Sequence, residues 1–234
     1  MSGPATQDGF CWSELAAEDV LLRLQQLQAR GRPPQTGFLD THQWCRLVDA
    51  PGLTIAGGHA EAQFRRAALA ASPPSVVCHL APVDRLPSSI RTAHNLRGWL
   101  GRQGVAEDSI GDIVIGDAAW FAALPGALAD VPIEFDDAAS SMPPPTAPEL
   151  KVTAASARLD AVAGAIFHVS RGEAQTAIEY DFVFLNFRPV AKPSHQVRQG
   201  DQLVYRTKGR AVLEQLDTNV RSGRLWVKYR LYGC

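Results

Sequence analysis

Three side chains in the C-terminal third invite a chemical reading: Arg158, Asp160 two positions on, and Arg171. Both arginines fall in the first turn of a helix expected from apolar spacing. That end of a helix already carries partial positive charge, so an unpaired cation there costs about 0.3–1 kcal/mol. Two answers fit. A phosphate held by two guanidinium forks and two helix N-termini would make a strong anion site. Alternatively, Arg158 pairs with Asp160 or another acid and Arg171 is merely solvated. On these residues alone both remain open.

The elements that must position them follow from periodicity. Leu159, Val162, Ala163, Ile166 and Phe167 recur at helical spacing, with Ser156 as the expected N-cap. Ser170 and Glu173 form a capping box that starts a second helix, and Ala174, Ala177 and Ile178 supply its inner face. Phe182 to Leu185 reads as a buried strand, 186–189 as a turn, and Gln199-Gly200-Asp201 as another turn before Leu203-Val204-Tyr205. Arg188, Lys192 and Arg198 add positive charge between them. Further on, Leu225 to Tyr232 alternates: Leu225, Val227, Tyr229 and Leu231 face one way, and Trp226, Lys228, Arg230 and Tyr232 the other. Aromatic and cationic residues sharing a face suit RNA. The other reading is an edge strand protected by charge.

This order of features resembles the RNA-binding domain first known from small-subunit ribosomal protein S-four. The matching residues are Arg158-Leu159-Asp160, Ser170-Arg171 with Ala174, Val183 to Asn186, Pro193-Ser194, and Val197 with Gly200-Asp201. Two positions depart from the pattern. Phe187 stands where a Gly would make the easy Asn-Gly turn, and Tyr180-Asp181 where another Gly is usual. The likeness extends upstream to the two-domain bacterial YlmH family. Phe38-Leu39-Asp40 resembles its Phe-Leu-Asp opening, Gly57-Gly58-His59-Ala60-Glu61 with Arg65-Arg66 its Gly-Gly-Tyr segment, and Ile110-Gly111-Asp112-Ile113 its Gly-Asp-Ile block. The helix around His94 to Arg97 departs from the family's His-Arg-Asp-x-Leu-Gly.

The whole chain sets bounds. Its 234 residues carry a net charge of −1, which hides an asymmetry. Residues 151–234 hold 13 Lys and Arg against 7 Asp and Glu, a net +6, whereas 1–150 are net −7. A basic module on an acidic one suggests local nucleic-acid affinity. No apolar run is long enough to span a membrane. No secretion signal is evident at the N-terminus. Cys11, Cys45, Cys78 and Cys234 are scattered, which argues against a zinc site or a disulfide framework.

In chain order, residues 1–34 are expected to be a helical segment, its helix running from Ser13 to Ala29 with Val20, Leu24 and Leu27 inward and Leu15 and Leu21 near them. Residues 35–139 are expected to form an α+β layer domain. Its parts are a helix through about Leu47, strands at 53–56, 76–80 and 112–116, a helix capped by Ser88 or Ser89 that runs through Arg102 to Gly104, a helix over 117–123 and a strand around Ile133. The Pro-rich stretch 140–148 reads as an extended linker. Residues 149–234 are the S-four-like domain with its β extension.

Chemistry of bond-making finds little support. Cys78 and His79 are adjacent on a strand and so point to opposite faces. Asp136-Asp137 reads as an acidic loop, and the histidines show no ligand spacing. The expectation is therefore a non-catalytic, monomeric α+β protein of the cytoplasm with no cofactor and no metal. The family resemblance implies rRNA and P-site tRNA of the large ribosomal subunit as partners, in ribosome-associated quality control, with a quality-control factor on the N-terminal domain. Arg158, Ser170, Arg171, Gln175, Arg188, Lys192, Ser194, Arg198, Lys208, Arg210, Lys228 and Arg230 are the expected RNA contacts. The rivals are an RNA-modifying enzyme using Cys78, His79 or Asp112, and an adaptor linked to cell division.

Overall fold

Apolar residues at helical and alternating spacing organise the chain into two units, divided between Pro145 and Thr146. The computed structural model describes residues 16–59, 62–72, 74–116, 118–124, 126–133, 136–138 (backbone only), 142–143, 145–206, 208–218 and 223–232. Ser13, Leu15, Cys11, Cys234, Ala60-Glu61, Ser140-Ser141 and the side chains of Asp136-Asp137 lie outside the described residues. The fold is of the α+β class.

The first unit opens with α1 (Ala17–Ala29), whose buried residues are Val20, Leu24 and Leu27. Asp40 then caps α2 (Thr41–Cys45) in a reciprocal box with Gln43. Strands β1 (Leu53–Ala56) and β2 (Arg66–Leu69) form an antiparallel pair. Then come β3 (Val77–Pro82), α3 (Ala93–Arg102), β4 (Ile110–Ile115), β5 (Ala118–Ala123) and β6 (Asp136–Ala138). The last sheet runs β4-β5-β3-β6. Leu96 and Leu100 of α3 pack with Ile110 and Phe121 in its core.

Three expectations are corrected here. Residues 118–123 are a strand, not a helix. Alanine is the best helix former, but tertiary context overrides propensity, and this segment pairs on both sides, with β4 and β3. The helix α3 is capped by Thr92, whose hydroxyl accepts from the Asn95 N–H at 3.2 Å, while Ser88-Ser89 form a turn before it. The strand expected around Ile133 lies at 136–138 instead. Within the stretch expected to be a linker, Met142 is buried beside Phe38, Cys78, Ala122 and Leu124.

Among the described residues the second unit is one six-stranded sheet with two helices. Its elements are β7 (Glu149–Ala154), α4 (Leu159–Ile166), α5 (Arg171–Glu179), β8 (Val183–Leu185), β9 (Arg188–Pro189), β10 (Gln202–Tyr205), β11 (Gly209–Thr218) and β12 (Leu225–Tyr232). The order is β7-β12-β11-β10-β8-β9. Leu159, Val162, Ile166, Ala174 and Ile178 from the helices meet Val183, Leu203, Leu213, Val227 and Tyr229 from the sheet. Strand β12 alternates as expected, with Leu225, Val227 and Tyr229 buried and Trp226 and Arg230 exposed. It is not an edge strand, because β7 pairs along it on the side away from β11. The sequence reading overlooked β7, although Leu150, Val152 and Ala154 alternate with polar residues.

Candidate nucleic-acid interface

Asp160 is the pivot of the second unit's charged surface. Its side chain is fully buried at the start of α4. Arg158 donates to both carboxylate oxygens, Nε to Oδ1 at 3.0 Å and Nη2 to Oδ2 at 2.9 Å. Arg171 donates Nε to Oδ2 at 3.1 Å, and Gln175 donates Nε2 to the same oxygen at 2.7 Å. Burial alone would raise this carboxyl's pKa. The hydrogen bonds from Arg158, Gln175 and Arg171 outweigh it and hold the group well below the usual carboxylate range. One carboxylate thus orients two guanidinium groups and leaves a net positive charge. Arg158 Nη1 and both terminal nitrogens of Arg171 remain available, and the side chains are 33% and 54% exposed.

The sequence alternatives therefore merge: Arg158 does pair with Asp160, but Arg171 pairs with it too. The helix starts differ from each other. Arg158, not Ser156, is the N-cap of α4, and its side chain makes no capping bond. The N–H groups of Leu159 and Asp160 donate to the carbonyls of His195 and Pro193, at 2.8 and 3.0 Å. That N-terminus is spoken for by backbone and does not face an anion. At α5 the capping box is present: Ser170 Oγ accepts from the Glu173 N–H at 3.1 Å, and the Glu173 carboxylate accepts from the Ser170 N–H at 2.8 Å. So α5 alone contributes a helix N-terminus beside Arg171.

The 192–195 turn that closes on α4 brings Lys192 and Ser194, both exposed, to the Arg158 side. Arg198 is exposed at a neighbouring turn, where Asp201 Oδ2 accepts its backbone N–H at 2.7 Å. Asn186 ties that turn to the hairpin, donating Nδ2 to Asp201 Oδ1 at 2.8 Å and accepting the Gln202 N–H at 2.9 Å. Asn186 and Phe187 take φ of +50° and +65°. The hairpin keeps the left-handed conformation an Asn-Gly pair would favour, with Phe187 in the glycine's place. Arg188 follows on β9, exposed.

The remaining expected contacts scatter. Lys208 is exposed, 5.8 Å from the Tyr205 ring centroid. Lys228 pairs with Glu149 at 2.8 Å and Arg230 with Glu214 at 2.8 Å on the outer sheet face. Arg210 is 3% exposed. It donates to Gln202 at 2.9 Å and lies 4.4 Å from the Tyr232 ring centroid. Ala211 beside it faces the core, so Arg210 lies on the opposite sheet face, where Gln202 and Tyr232 pack against it and leave little of it exposed.

Two of the residues named for a rival active site, Cys78 and Asp112, make structural contacts. Cys78 is buried with Sγ 3.7 Å from the Gly58 carbonyl, and burial pushes its thiol pKa up. Asp112 accepts the N–H groups of Gln63 and Phe64, both at 3.1 Å. Burial raises its carboxyl pKa against the pull of those N–H groups, His59 and Arg97. These contacts tie Gln63 and Phe64 to β4. Among the described residues no cluster of His, Cys, Asp or Glu could hold a metal ion, and no helix is long and apolar enough to cross a membrane.

No family model matches the chain. It is similar to the ribosome-associated protein quality control protein P2 of Bacillus subtilis (strain 168), at 26% identity over 248 aligned residues. The alignment covers 94% of this chain and 96% of that protein, so the likeness to a ribosome-associated quality-control protein runs through both units.

Proposed function

We propose that this protein binds structured RNA through the Arg158–Asp160–Arg171 clamp, without catalysing a reaction. On this reading it acts in ribosome-associated quality control, holding peptidyl-tRNA against rRNA of the large subunit. The observation that carries the first part is the fully buried Asp160, which fixes two partly exposed arginine side chains with N–H donors to spare. Pre-ordered forks lose little entropy on meeting a phosphate and bind it bidentately. Lys192, Ser194, Arg188 and Arg198 extend the positive surface along the adjoining turns. Contacts of this kind position an RNA without reading its sequence. The second part draws on the full-length similarity to a protein of that pathway.

The test is co-sedimentation with purified large subunits, with and without P-site tRNA, over a salt series. Wild type is expected to bind more tightly with tRNA, and binding should weaken steeply with salt. Arg158→Ala/Arg171→Ala should bind weakly with a shallower slope. Binding indifferent to both arginines would remove the clamp from the interface. Absence of subunit binding would end the quality-control reading.

A further inference from the structure

A groove of about 670 Å³ runs along α5 toward its C-terminal end, between that helix and the strands β8 and β10. Its notable lining residues are Glu173, Tyr180, Phe182, Tyr205, Arg206 and Lys208. Tyr180 is 70% exposed and Phe182 38%. Exposed aromatic rings lining one concave surface mark a candidate binding site. The fold places them there. Asp181 takes φ +56°, and the Phe182 N–H closes the end of α5 by donating to the Ala177 carbonyl at 2.8 Å. The Arg206 N–H donates to the Phe182 carbonyl at 2.9 Å, which fixes the far wall.

Cations sit on these rings. The Arg206 guanidinium lies 5.2 Å from the Phe182 centroid, and the Lys208 ammonium 5.8 Å from that of Tyr205. Glu173 is the one acid among the described lining residues, and its carboxylate is engaged by the Ser170 N–H. A ligand that suits this groove has flat π faces and negative charge along its length. Duplex RNA hides its bases, whereas an unpaired strand exposes them together with its phosphates. We propose that this groove takes unpaired bases of single-stranded RNA, stacked on Tyr180 and Phe182, with their phosphates on Arg206 and Lys208. The proposal rests on the RNA-binding reading above and adds what the clamp lacks, a preference for unpaired nucleotides. Clamp and groove share α5, so one RNA can cross from paired to unpaired structure along it.

The test uses the full-length protein and three fluorescently labelled probes followed by anisotropy: a short oligouridine, an abasic backbone of the same length, and an RNA duplex. Stacking on aromatic side chains predicts that wild type binds the oligouridine about tenfold or more tightly than the abasic strand. Tyr180→Ala/Phe182→Ala should bring oligouridine down to the abasic level while leaving duplex binding and the melting temperature unchanged. Tyr180→Phe keeps the ring and should keep the affinity. Equal binding of oligouridine and abasic strand by wild type would overturn the proposal. So would full oligouridine affinity in the double variant, a Tyr180→Phe loss as large as that of Tyr180→Ala, or polyglutamate of equal charge competing as well as the RNA. If the duplex is bound but the oligouridine is not, the groove fails and the clamp stands. If wild type binds neither, both readings fail.

Discussion

Asp160 and Asp112 show how one residue type takes opposite roles in the two units. Asp160 is buried against two guanidinium groups and an amide, so its charged form is favoured and its pKa depressed. Asp112 is buried mainly against backbone N–H groups, and desolvation prevails, so its pKa is raised. Asp160→Asn would turn an amide toward two cations. Removing one partner from a fully buried ion pair costs about 3–5 kcal/mol; with both arginines partly in water the expected loss is about 2–3 kcal/mol, read by urea denaturation. The pH signs differ. The folded pKa of Asp160 lies below its unfolded value, so its contribution is present above the ordinary carboxylate range, about 3.9, and fades as pH falls beneath it. The gap between wild type and Asp160→Asn should hold from neutral pH down to that range and then shrink. The folded pKa of Asp112 lies above its unfolded value. Wild type should therefore gain stability relative to Asp112→Asn as the pH falls from neutral toward the ordinary carboxylate range.

At the scale of elements, α5 depends on its cap. Ser170 and Glu173 satisfy two backbone N–H groups at its start and hold Arg171 in the first turn. Ser170→Ala should cost about 1 kcal/mol and be visible as a lower melting temperature, with a further loss of RNA affinity as Arg171 frays from Asp160. The hairpin at 186–187 depends on Asn186 in the same way. It adopts a left-handed backbone and joins β8 to the 198–201 turn through its side chain. Asn186→Ala forfeits both hydrogen bonds and a residue type suited to positive φ, for an expected loss of about 1–2 kcal/mol. The sequence showed the α5 cap plainly, because Ser-x-x-Glu is a local pattern. It showed Asn186 only as a turn residue, since Asp201 and Gln202 reach it through the sheet.

For the whole molecule, the second unit carries its own core and a net positive charge over 151–234. Residues 146–234 expressed alone should fold cooperatively and bind RNA, with log affinity falling linearly against log salt at a slope of about −0.7 to −0.9 per phosphate contacted. Arg158→Ala/Arg171→Ala in that fragment should flatten the slope. A fragment that fails to fold would show that its stability depends on the first unit. One that folds but has a salt-independent affinity would show that phosphates are not its ligand.

The amino-acid sequence by itself determined the local features of this protein: the capping box at Ser170, the apolar faces of α1, α4 and α5, the alternation of β12, and the acidic and basic halves. These depend on residues a few positions apart, where periodicity and hydrogen-bonding chemistry suffice. Only the tertiary structure decided that residues 118–123 are a strand, because pairing on both sides overrides the helical preference of alanine. It alone buried Arg210 beside Gln202 and Tyr232, turned Arg171 toward Asp160, and closed the start of α4 with carbonyls from the 192–195 turn. It also brought Tyr180 and Phe182 beside Arg206 and Lys208. Each of these rests on a partner far along the chain, and which distant group meets a given side chain is set by the packing of the sheet.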